Sequence, residues 1–125
     1  MVWYKNYKKF PNKRTEYAGR KYDSKFEAGV AADLELRRLA GEIREITPQK
    51  TFDLFGKNGH KICTHRPDFY CIMADGSEEI FEAKGMEMPV WKIKRDLFID
   101  NYPDIKYTVI AQGRGYRQTR NRGMR

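Results

Sequence analysis

Arg66-Pro67-Asp68-Phe69-Tyr70-Cys71-Ile72-Met73-Ala74-Asp75-Gly76-Ser77-Glu78-Glu79-Ile80-Phe81-Glu82-Ala83-Lys84 reads as two strands joined by a short turn, and its register decides the fold. Side chains alternate along a strand, so Asp68, Tyr70 and Ile72 share one face, and Ile80, Glu82 and Lys84 share one face of the next strand. A two-residue Asp75-Gly76 turn would put Asp68 and Glu82 on opposite sides. A three-residue loop, Ala74-Asp75-Gly76 with Gly76 left-handed, sets Asp68 directly opposite Glu82, and glycine in the third loop position is what that turn prefers. Facing carboxylates then have Cβ atoms roughly 4.5–5.5 Å apart. That arrangement is repulsive unless a cation lies between them.

Outward from the hairpin, periodicity supplies the remaining elements. From Ser24 to about Arg44, Ala28, Ala32, Leu36, Leu39 and Ile43 recur at three- and four-residue spacing, with Ala31 and Leu34 widening the stripe. One amphipathic helix ending near Gly41 is expected. Ile46 to Phe55 reads as a strand closed by the turn Gly56-Lys57-Asn58-Gly59, and Lys61 to Met73 as a second strand. Glu78 to Lys84 is the third. Pro89 suits a first helical turn, Val90, Ile93, Leu97 and Phe98 mark a helix stopping at Tyr102-Pro103, and Lys106 to Ala111 is a last strand. The predicted order is α-β-β-β-α-β, an α/β chain with no internal repeat and no linker before residue 112.

The length of 125 residues suits one domain. No apolar run approaches the ~18–20 residues that a membrane span needs, and Met-Val-Trp-Tyr-Lys-Asn-Tyr-Lys-Lys is unlike a secretory signal. A soluble, cytoplasmic chain without membrane contact is expected. Its net charge of +8 is uneven: residues 1–22 hold seven Lys/Arg against one Glu, residues 113–125 hold five Arg and no acid, and residues 23–112 hold thirteen basic and sixteen acidic residues. A mildly acidic body between two cationic arms suits a polyanion gripped by the arms. Trp3, Tyr4, Tyr7, Phe10 and Tyr17 alternate with Lys5, Lys8, Lys9, Lys13 and Arg14, a mixture able to stack bases and pair phosphates. Arg114, Arg117, Arg120, Arg122 and Arg125 lie among Gly, Gln, Thr and Asn with almost nothing to bury, so a flexible tail is expected. The division is then an arm (1–22), a core (23–112) and a tail (113–125).

Two other groups compete for attention. Cys63 and Cys71, with His60 and His65, follow the order His-x2-Cys-x-His-x5-Cys along one expected strand. Ordinary packing of reduced thiols is the better reading than a zinc knuckle. Ser24-x-x-Glu27 fits a capping box, in which Glu27 satisfies a backbone N–H, but Glu27 also falls beside Ala31 and Leu34, where a carboxylate can face the sheet. Likewise Glu82 could simply pair with Lys84 or Arg66 on a solvent face.

The element order, with Pro67-Asp68 at the second strand and Glu82-x-Lys84 after a turn, resembles the PD-(D/E)xK nuclease superfamily. More narrowly, Asn12-Lys13-Arg14-Thr15, Tyr22-Asp23-Ser24-Lys25-Phe26-Glu27-Ala28, Ala40-Gly41-Glu42-Ile43 and Pro48-Gln49 are similar to a family of small phage proteins of unknown function within it. These are related in plan to the archaeal-type four-way (Holliday) junction resolvases. The resemblance covers roughly residues 12 to 110.

The resemblance implies a restriction-endonuclease-like core, a mixed central sheet flanked by helices. It implies that Asp68 and Glu82, with the backbone carbonyl of Ala83, ligate Mg²⁺, Mn²⁺ being able to substitute. Lys84 would orient or help deprotonate the attacking water, Glu27 would complete the metal site directly or through water, and Gln49 would touch the scissile region. Lys8, Lys9, Lys13, Arg14, Arg114, Arg117, Arg120 and Arg122 remain the expected DNA contacts. The implied activity is that of a structure-specific DNA endonuclease acting on branched DNA in the host cytoplasm. A four-way junction has two-fold symmetry and needs paired cuts, so a homodimer is expected. Trp91, Phe98 and the aromatic arm are candidate interface residues, with core packing the competing reading. The alternatives are a nickase, flap or restriction-like nuclease, or a non-catalytic nucleic-acid-binding protein.

Overall fold

In the computed structural model the backbone is described for residues 15–17, 20–22, 25–111 and 115–118, and side chains for residues 25–111. The elements are β1 (Thr15–Tyr17), β2 (Arg20–Tyr22), α1 (Lys25–Leu39), β3 (Ile43–Pro48), β4 (Phe52–Phe55), β5 (Lys61–His65), β6 (Phe69–Met73), β7 (Glu78–Lys84), α2 (Pro89–Asn101), β8 (Lys106–Ala111) and β9 (Gly115–Gln118). A mixed five-stranded sheet runs β3-β6-β7-β8-β9, antiparallel except for the parallel pair β7–β8 joined across α2. Two small ribbons, β1–β2 and β4–β5, complete the set. The class is mixed α/β as expected, and with the β4–β5 ribbon set aside α1-β3-β6-β7-α2-β8 keeps the expected order. Among the described residues no helix is long and apolar enough to cross a membrane.

The β6–β7 hairpin adopts the register that faces Asp68 with Glu82. Phe69 pairs with Phe81 and Tyr70 with Ile80. Gly76 takes φ +88°, its N–H donates to the Met73 carbonyl at 2.9 Å, and the Met73 N–H donates to the Ser77 carbonyl at 2.8 Å. A left-handed third loop residue is the geometry glycine adopts without Cβ strain.

Alternation then sorts the core into two layers. Phe69, Cys71 and Phe81 pack with Ala28, Val30, Ala31 and Leu34 of α1. Tyr70, Ile80, Tyr107 and Val109 pack on the other face with Phe98 and Ile99 of α2 and with Phe52 and Leu54 of the small ribbon. The α1 stripe is narrower than the sequence reading. Leu34 is fully buried, whereas Leu36 and Leu39 are exposed, because two and five residues onward the helix has turned by about 200° and about 140° from it. The helix does end at Gly41, whose φ of +86° lets Gly41 and Glu42 donate back to the Arg38 and Arg37 carbonyls. On α2 the inward residues are Phe98 and Ile99, while Val90 and Ile93 of the expected stripe face solvent.

Two expected strands are each broken in two. Ile46 to Phe55 splits into β3 and β4, and Lys61 to Met73 into β5 and β6. Pro48 pairs with Phe69 and Phe52 with His65, so register is continuous and the four strands form one bent antiparallel ribbon. At the bend Pro48 and Pro67 have no N–H to give the ladder, and Gln49 turns out of the sheet at φ +53°. Its N–H donates to the Asp68 carbonyl at 2.9 Å, holding the two bends together. The expected flexible tail also needs correction at one place: β9 pairs antiparallel with β8 along Thr108–Ala111. Part of the N-terminal arm forms the β1–β2 ribbon against α1.

Candidate metal centre

The bend brings Asp68 to the start of β6, beside the end of β7, where Glu82 and Lys84 project on the face shared with Ile80. Asp68 and Glu82 are locked by hydrogen bonds through each other's strand. The Asp68 N–H donates to Glu82 Oε1 at 2.5 Å, and the Ala83 N–H donates to Asp68 Oδ2 at 2.9 Å. Lys84 Nζ stands 4.0 Å from Glu82 Oε2. Glu27, in the first turn of α1, is buried and hydrogen-bonds the Asp68 side chain. Two carboxyl groups can share such a bond only if one holds a proton. Ser24, the other half of the possible capping box, lies outside the described residues, whereas the Glu27–Asp68 contact assigns Glu27 to the carboxylate cluster.

The cluster is electrostatically loaded. Burial, and then the Glu82 charge, push the Asp68 carboxyl up to about 7, against the opposing pull of the Ala83 N–H, Glu27 and Lys84. Burial likewise raises Glu82, with Lys84 and the Asp68 N–H working the other way. Crowded carboxylates in a low-dielectric site cannot all ionise without a cation. Among the described residues no three His, Cys, Asp or Glu side chains form a ready-made metal cage. Mg²⁺ does not need one, since it binds through one or two carboxylates and keeps several waters. The hard carboxylate oxygens of Asp68 and Glu82 are donors of the kind that ion takes, with Glu27 joined to them through its hydrogen bond to Asp68.

Of the two sequence readings of Trp91, interface or core packing, the structure shows packing against the core beside the carboxylates. The Trp91 Nε1 donates to Glu82 Oε2 at 2.6 Å, and Lys84 Nζ and the Arg95 guanidinium lie 4.8 Å and 5.0 Å from indole ring centroids. Phe98 is fully buried in the core, not at a surface. Behind the site, buried His65 meets the Tyr107 hydroxyl at 2.8 Å through Nε2 and stacks on its ring at 6.1 Å. Burial, helped by Lys94 and Lys84, lowers the His65 pKa to about 4, so the ring is neutral.

The remaining expected residues divide plainly. Gln49 sits at the bend, with its backbone on Asp68. Lys8, Lys9, Lys13, Arg14, Arg114, Arg120 and Arg122 lie outside the described residues, as does the side chain of Arg117 in β9. Cys63 and Cys71 are free and in separate core layers, Cys71 with its thiol pushed up by burial to about 12.

No curated protein and no solved structure matches the chain. Residues 7–118 match the family described as Protein of unknown function (DUF1064), and over that span, nearly its whole length, the chain belongs to this family.

Proposed function

We propose that this chain is a Mg²⁺-dependent endodeoxyribonuclease that hydrolyses phosphodiester bonds in branched DNA, with a four-way junction as the preferred substrate and a homodimer as the working unit. The observation that carries the reading is the Asp68–Glu82 lock, with Lys84 at its open end and Glu27 closing it from the opposite layer.

Asp68, Glu82 and Glu27 would hold the ion, with the Ala83 carbonyl as a further donor. Mg²⁺, when bound, would supply Lewis acidity to a phosphoryl oxygen and lower the pKa of a bound water. Lys84 places an ammonium next to Glu82, where it orients the attacking water and offsets charge on the phosphoryl oxygens. The net charge of +8 supplies attraction to a polyanion that is independent of sequence.

The test compares cleavage of a four-way junction, a flap, a duplex and a single strand, in Mg²⁺ and in EDTA, by the wild type and Glu82→Gln. Metal-dependent cutting that Glu82→Gln abolishes is expected, strongest on the junction. Cutting of another substrate in preference would move the reading to a flap, nicking or restriction-like nuclease. DNA binding with no cutting under any condition would leave a non-catalytic binding protein.

A further inference from the structure

We propose that Trp91 is a positioning residue for the metal-binding carboxylate, acting through its indole N–H on Glu82 and through its ring on Lys84. The inference rests on the nuclease reading above. Glu82 receives N–H groups on both oxygens, the Asp68 amide on Oε1 and the Trp91 indole on Oε2, so the plane of the carboxylate is pinned from two elements, the β6 bend and α2. Each carboxylate oxygen keeps a second acceptor site for a cation. Partners of this kind fix ligand orientation, and losing one typically costs 10–100-fold in metal affinity or activity.

The indole is itself held. Its ring lies within cation–π range of Lys84 and Arg95. Arg95 is tied in turn to Asp96 and Glu87. The Tyr107 hydroxyl also lies within hydrogen-bonding reach of Trp91, and His65 fixes that hydroxyl from the far side. One half-buried side chain thus touches both the carboxylate that would bind the ion and the ammonium that would handle the water. Phe98 and Ile99 anchor α2 on the sheet without it.

Trp91→Phe keeps a ring for the two cations and removes only the N–H donor and the second ring. Titrating metal-free protein with MgCl₂ by calorimetry, the variant should bind at least about tenfold more weakly than wild type, with its thermal midpoint in EDTA nearly unchanged. Equal Mg²⁺ affinity in the two proteins would overturn the role of Trp91. Should the variant not fold, Trp3→Phe leaves Trp91 as the sole indole in the chain. Its emission should change on adding MgCl₂ and revert with EDTA, and an unresponsive spectrum would overturn the proposal. Absence of Mg²⁺ binding by the wild type is a different failure, since it removes the metal-dependent nuclease reading itself.

Discussion

The amide of Asp68 donates to Glu82 Oε1 at 2.5 Å, while the carboxylate of Asp68 accepts from the amide that follows Glu82 at 2.9 Å. Each acid is therefore oriented by the main chain of the other's strand. The placement of the two acids inherits its precision from strand register and not from flexible side-chain packing.

Asp68→Asn should abolish Mg²⁺-dependent cleavage, by about 100-fold or more, while DNA affinity persists. In EDTA the same change should stabilise the protein in a pH-dependent way. The folded Asp68 pKa, about 7, lies above its ordinary 3.8. The stability tied to its proton is thus fully present below the ordinary value and lost as pH rises through about 7. Wild type should fall behind Asp68→Asn across that range, by at most about 1.4 kcal/mol for each pH unit crossed. His65 acts in the opposite sense, its lowered pKa costing stability as pH falls from 6.5 toward 4. Both proteins carry it, so it cancels in their difference. Thermal melts of the two proteins at several pH values check the sign, and parallel curves would contradict it.

Lys84→Ala should lower the single-turnover cleavage rate about 100-fold or more in a protein that still folds, its melting temperature lowered by the loss of the charge that offsets burial of Glu82. Pre-steady-state cleavage with enzyme in excess measures this. Unchanged kinetics would leave Lys84 only as the charge partner of buried Glu82.

Glu27→Gln keeps a hydrogen-bonding partner for Asp68 and replaces an ionisable carboxyl with an amide. Activity should drop about 10–100-fold and Mg²⁺ affinity with it, at nearly constant stability. A variant with full activity would reduce Glu27 to a helix-start residue.

Truncation after Gln118 removes Arg120, Arg122 and Arg125 and leaves β9 intact. It should weaken DNA binding and flatten the salt dependence, by up to roughly 0.9 in slope for each phosphate that the missing arginines no longer neutralise. Truncation after Gln112 also deletes β9 and bares the edge of β8. That shorter chain should melt lower and aggregate more readily. Identical salt slopes for the full chain and the Gln118 truncation would exclude the last three arginines from DNA binding.

Much of the site was legible because it depends on local rules. Gly76 selects the loop, the loop selects the register, and the register pairs Asp68 with Glu82; Gly41 ends α1 for similarly local reasons. The bend was not legible from periodicity, since apolar alternation runs through both halves of each long strand. The available signal was Pro48 and Pro67, two residues unable to donate within a ladder. Trp91 stays between interface and core in the sequence because α2 is apolar over much of its surface, Val90 and Ile93 included, and only tertiary packing turns Trp91, Leu97 and Phe98 to the sheet and leaves Val90 and Ile93 outside. β9 leaves little trace in the sequence, since Gly115–Gln118 is mostly polar and carries no apolar alternation.

The turn at the tip of the long ribbon and the turn of the β6–β7 hairpin face different constraints on chain length. Residues inserted at the tip, Gly56–His60, would lengthen a peripheral flap and leave the acids where they are. A single residue gained or lost in Ala74–Ser77 would rotate one strand's side chains to the opposite layer and separate Asp68 from Glu82. Length variation within this family should therefore collect at the first turn and be absent from the second.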